Sequence, residues 1–81
     1  MTSLIRAGRG IALRIVDIAG GEGVRRRIFS LGFHIGDVIE RGSQGILRGP
    51  VLIKNLQSGV TAAVGRGIAQ SIMVEAVDER K

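Results

Sequence analysis

The segment that most constrains this chain is Gly20-Gly21-Glu22-Gly23-Val24-Arg25-Arg26-Arg27-Ile28-Phe29-Ser30-Leu31-Gly32-Phe33-His34-Ile35-Gly36-Asp37. It brackets a short helical stretch with glycines at both ends and runs directly into a β-type sequence. Glycine stands where a backbone must turn sharply or take positive φ. The helix, expected from about Glu22 to Leu31, is too short to persist alone in water. It must pack on a partner, and the rest of the chain supplies only short strands. Val24, Ile28 and Leu31 fall at i, i+4 and i+7 and form its apolar face, with Arg26 opposite and Arg25 and Arg27 on the flanks. Gly32 is the natural residue to end such a helix in a left-handed conformation.

The remaining sequence reads as strands and turns. Ile11, Leu13 and Ile15 alternate with smaller or charged residues, the period-two mark of a half-buried strand over 11–18. Asp37–Arg41, Val51–Leu56, Val60–Val64 and Ser71–Val77 read as four further strands. Pro50 opens the third strand at a tolerated first position. Residues 42–49 form a loop carrying Ile46 and Leu47. Gly59 marks a turn, and Gly65-Arg66-Gly67-Ile68-Ala69 reads as a 3₁₀-type connection. Residues 1–9 are expected as a partly ordered arm and 78–81 as a solvated tail, around a core at about 10–77. Five short strands with glycine-rich turns and one early helix predict a mainly β protein, a small, partly open barrel in a single domain.

Composition narrows the function classes. At 81 residues the core is small. With no cysteine, disulfides and thiolate metal sites are excluded, which suits a reducing cytosol. No apolar stretch approaches the ~20 residues of a membrane span, and residues 1–10 lack the apolar core of a signal peptide. The net charge of +5, from ten Arg and two Lys against seven carboxylates, favours an anionic partner.

No catalytic constellation is present. His34 is the only histidine, and no Gly-x-Ser-x-Gly elbow occurs. His34 reads as structural or simply exposed. A zinc site needs three or four ligands, and here only His34 and carboxylates such as Asp37, Glu22 or Glu40 are on offer, so His34 and Asp37 are at most weak metal candidates. Gly21-Glu22-Gly23 precedes a helix, but Arg26 stands where a phosphate-binding glycine fingerprint needs its third glycine.

Binding is the better reading. Arg25, Arg26 and Arg27 could contact phosphates, yet single-strand binders rely on aromatic platforms, and the chain has only Phe29 and Phe33. A solvated helix face and a cationic face docking on an acidic protein are the other readings of the triplet. Phe29 lies on the helix side nearer Arg25, as an interface anchor or as packing under a loop.

The residues Arg27-Ile28-Phe29-Ser30-Leu31-Gly32-Phe33, with Gly36 four positions after Gly32, resemble the FeoA domain, named for the ferrous iron transport protein A of bacteria. The resemblance continues through Gly49-Pro50, Gly59, Gly65-Arg66-x-x-Ala69 and Ile72-x-Val74. The family usually places Pro before the second glycine of the helix-exit turn, where this chain has Ile35, which suggests a less rigid turn. The resemblance implies an SH3-like barrel, with Gly32, Gly36, Gly59 and Gly65 as its structural turns. It implies a non-enzymatic cytoplasmic accessory, held near the inner membrane face by a FeoB-like transporter with a cytoplasmic GTPase part. A similar domain ends metal-dependent repressors related to the diphtheria toxin regulator. No cofactor is required on this reading, although weak binding of Fe(II) or another transition metal such as Mn(II) stays open. So do a nucleic-acid-binding barrel, a weak metal sensor, and self-association of the chain.

Overall fold

The computed structural model describes residues 1–42 and 49–77. The loop expected at 42–49, with Ile46 and Leu47, falls largely on residues 43–48, and the expected tail is residues 78–81. Both lie outside the described residues.

Among the described residues six antiparallel strands form one sheet: β1 (Thr2–Ser3), β2 (Ala12–Ile18), β3 (Val38–Arg41), β4 (Val51–Asn55), β5 (Thr61–Val64) and β6 (Ile72–Ala76). The strand order is β1-β6-β2-β3-β4-β5, an SH3-like arrangement in which the end strands do not pair, so the barrel stays open. Helix α1 (Glu22–Ser30) joins β2 to β3, and α2 (Arg66–Ser71) joins β5 to β6. The sixth strand comes from the expected arm. Thr2 pairs with Val74 and Ser3 with Met73. Leu4 follows in a 3₁₀ turn and is fully buried. Two residues are too few to show a period, so only the tertiary contact reveals this strand.

In β2 the core positions are Leu13, Ile15 and Ile18. Strict alternation would send Asp17 inward. A bulge prevents it: Ile15 pairs with Val74 and Asp17 with Met73, leaving Val16 as the extra residue. Asp17 turns out, Ile18 turns in, and Ile11, expected in the buried phase, lies before the strand and is exposed.

Of the expected apolar face of α1, only Ile28 is fully buried. Val24 and Leu31 pack against the core but are half-buried. Phe33, just past the helix, fills the centre instead. The helix exit explains why. The Phe33 N–H donates to Ile28 O at 3.2 Å and the Gly32 N–H to Phe29 O at 3.0 Å, a Schellman closure. Gly32 takes φ +99, which this closure requires and an L side chain resists. The chain therefore folds back so that Phe33 enters the core beside Ile28.

Gly65 sits at φ −64 and precedes α2, so the expected 3₁₀ connection is a six-residue α-helix that buries Ala69. Pro50 stands just before β4, exposed.

Among the described residues two polar side chains are buried. Asn55, 3% exposed, ends β4 on its inward phase. Its Nδ2 donates to Gly32 O (3.2 Å) and Asp37 Oδ2 (3.0 Å). Its Oδ1 accepts from the N–H groups of Gln57 (2.9 Å) and Ser58 (3.2 Å). Arg41, 8% exposed, donates through Nη1 to Ala7 O at 2.7 Å and Ile5 O at 3.3 Å, pinning the first segment to the sheet. Burial lowers its pKa from the ordinary arginine value, and Arg9 and Arg66 lower it further.

A denaturation series follows from this packing. Ile28→Ala should lower stability by about 2–5 kcal/mol, and Leu31→Ala by less, since Leu31 is not fully enclosed. Asn55→Ala should cost about 2–3 kcal/mol, because buried donors and acceptors lose partners together. Leu31→Ala proving costlier than Ile28→Ala, or Asn55→Ala proving neutral, would contradict the fold described.

Candidate helix-face interface

The outer face of α1 is built on ties to β2 and to the helix-exit turn. At the entry, Glu22 answers the positive helix end. The Arg25 Nε donates to Ile18 O at 3.1 Å, and its Nη2 lies 3.7 Å from Asp17 Oδ1. The bulge that turns Asp17 outward thus gives Arg25 its partner. This pair is half-exposed and contributes little to stability; its effect is to hold Arg25 against the sheet.

At the exit, Asp37 locks the turn. Its Oδ2 accepts from the His34 N–H at 2.8 Å and from Asn55. The Asp37 N–H donates to His34 O at 3.0 Å, and the Gly36 N–H to Ile15 O at 2.8 Å. Arg14 Nη1 donates to Gly36 O at 3.0 Å. Gly36 takes φ +99, which the bend requires. These bonds fix the turn with Ile35 in place of proline, and Ile35 itself points out, 48% exposed. Gly59 closes the β4–β5 hairpin, its N–H donating to Asn55 O at 2.8 Å.

The three arginines separate. Arg25 and Arg26 join Glu22 and Phe29 around a recess of about 190 Å³. Arg27 is exposed but does not line it. Arg25 is tethered, whereas Arg26 has no carboxylate within 4.0 Å among the described residues. Phe29 is 42% exposed, and its ring stacks on His34 at a centroid distance of 5.3 Å and 23°. This contact brings the exit turn onto the helix face, so His34 extends the surface started by Arg26 and Phe29, with exposed Ile35 next to it in the chain. The signal for His34 was available in sequence only through the turn at Gly32, which folds residue 34 back over residue 29.

A metal fits this site poorly. His34 Nδ1 lies 3.5 Å from Asp37 Oδ2, but that oxygen already accepts two hydrogen bonds. Among the described residues no group of three or more His, Cys, Asp or Glu comes together. Phe33 is fully buried, which leaves Phe29 as the one exposed phenyl ring. Among the described residues no helix is long and apolar enough to cross a membrane.

Comparison with known proteins places this architecture. The FeoA domain model matches residues 2–76. A crystal structure of an iron uptake regulatory protein (FeoA) superposes with TM-score 0.80 at 30% identity, covering 94% of this chain and 96% of that one. The FeoA protein of Chlorobium tepidum superposes with TM-score 0.84 at 21% identity, over 99% of this chain and 74% of that one. A manganese-dependent transcriptional repressor in complex with manganese shares the fold, with TM-score 0.82 at 20% identity, and the matched domain is 36% of that chain. No curated protein sequence matches the chain significantly. On the family match and the 30% identical full-length relative, the chain belongs to the FeoA domain family.

Proposed function

We propose that this chain is a non-enzymatic accessory of ferrous iron uptake that docks the outer face of α1 on the cytoplasmic part of a FeoB-type membrane GTPase transporter and modulates it. Family membership supports the link to iron transport. The observation that carries the docking surface is the pairing of Arg26, which has no carboxylate partner among the described residues, with half-exposed Phe29 on one helix face. Along α1 three guanidiniums stand against the single carboxylate of Glu22, so an acidic surface is the complementary partner. A rigid aromatic beside arginine is the composition of an interface anchor. The chain acts in the cytoplasm, reaching the membrane only through its partner. Fe(II) is then the transporter's cargo and needs no resident site here. A nucleic-acid reading loses its aromatic platform with Phe33 buried.

Rim charges act mainly through association rate and are screened by salt, whereas a central apolar contact acts through dissociation. Arg26→Glu should therefore slow association with the transporter's cytoplasmic part, most at low salt. Phe29→Ala should speed dissociation about tenfold or more at any salt, the scale of an anchor residue. Surface plasmon resonance reads both, with circular dichroism to confirm folding and single-stranded RNA as competing ligand. Tight RNA binding lost in Arg26→Glu, with no binding to the transporter, would overturn the reading.

The purified protein should retain no stoichiometric iron or zinc after mild chelation, because His34 and Asp37 cannot close a site. Elemental analysis finding one metal per chain would contradict this, and loss of that metal in His34→Ala would identify the ligand.

A further inference from the structure

Strand β5 ends the sheet with β4 as its one paired neighbour. The Asn55 N–H donates to Val60 O at 2.8 Å, which marks 55 and 60 as a hydrogen-bonded pair. By antiparallel alternation Ile53–Ala62 and Val51–Val64 are also bonded pairs, so Thr61 and Ala63 turn their N–H and C=O groups away from β4. Among the described residues nothing bonds to these outward groups. Proteins protect such edges with lysine, proline, bulges or very short strands. The opposite edge, β1, has only two residues. β5, four residues long, carries no lysine, proline or bulge. It lies in Asn55–Gly65, eleven residues without a charge and the longest uncharged stretch in the sequence.

We propose that β5 is a self-association edge, where two copies of this chain pair antiparallel about a two-fold axis at Ala62. In that register Thr61 faces Ala63 of the second copy, and both present outward N–H and C=O groups, giving four hydrogen bonds between chains. Val60 then faces Val64, and no charge meets a like charge. The occupant is a second copy because the edge is self-complementary: the two-fold axis at Ala62 sets the outward donors of each copy opposite the outward acceptors of the other, and the uncharged stretch lets two molecules of net charge +5 meet there without opposing cations. The α1 face, with its three arginines, would repel its own copy. Exposed Leu52, which pairs with Ala63, extends the contact on the outer face. Four residues of edge make a small interface, so the dimer is weak and forms at high micromolar to millimolar concentration.

Sedimentation equilibrium from roughly 20 µM to 1 mM, with amide spectra over the same range, tests this. The average mass should rise toward a dimer, with concentration-dependent shifts centred on residues 60–64. Association should strengthen with added salt, as the repulsion of the two copies is screened, opposite to the helix-face docking proposed above. Ala63→Lys places a charge on the exposed side of the edge, and Ala63→Pro removes an outward N–H that β4 does not use. Both should stay monomeric. If either fails to fold by circular dichroism, protection of the Thr61 and Ala63 amides in the unmodified chain, rising with concentration, decides. A chain monomeric throughout, Ala63→Lys associating like the parent, amides without such protection, or shifts centred on α1 would each overturn the proposal.

Discussion

The side-chain amide of Asn55 is the polar group on which the rest of this structure turns. It joins the carbonyl at the end of α1, the carboxylate that locks the helix-exit turn, and two amides of the β4–β5 hairpin. The exit turn and the hairpin are joined across 18 to 23 residues of chain, a span that no local bond could bridge. A buried amide with every group satisfied specifies one arrangement, because any other leaves polar atoms without partners. Through Gly32 and Asp37, Asn55 sets where α1 ends and how Phe33 enters the core. Through the same turn it sets His34 against Phe29, and so the shape of the proposed interface. The proposed interface thus depends on a residue that is itself buried.

The second constraint is electrostatic. Among the described residues one guanidinium is buried, that of Arg41, which holds the carbonyls of Ile5 and Ala7. Its Nε has no hydrogen-bond partner among the described residues. Burial and the nearby positive charges of Arg9 and Arg66 both disfavour the charged form. The short first segment therefore rests on a contact that is strained electrostatically but satisfied at two carbonyls, with Leu4 beside it in the core.

Much of the architecture was legible in sequence because its signals are local. Alternation in Val51-Leu52-Ile53 and the glycines around the helix give strands, helix and order directly. The same alternation places Asn55 on the inward phase ahead of a Gln-Ser-Gly turn, which is the sequence signal for a polar hub. The rest depends on contacts that sequence does not display. β1 is too short to show a period. The β2 bulge becomes visible only when Val74 and Met73 are paired to Ile15 and Asp17. The six residues of α2, flanked by Gly65 and Gly67, carry the composition of a turn. In the site, three consecutive arginines look alike in sequence. Only the fold shows that Arg25 is tethered through Ile18 and Asp17, that Arg26 stands beside Phe29 with no carboxylate partner among the described residues, and that Arg27 lies off the recess.

The central claim is that the outer face of α1, completed by the exit turn, meets a transporter. The most direct measurement is an amide chemical-shift titration of the isotope-labelled chain with the unlabelled cytoplasmic part of a FeoB-type transporter. The account predicts saturable shifts concentrated at Arg26, Phe29, His34 and Ile35, with the core amides of β2 and β6 unmoved. No shifts at saturating transporter, or shifts confined to residues away from α1 and its exit turn, would contradict it.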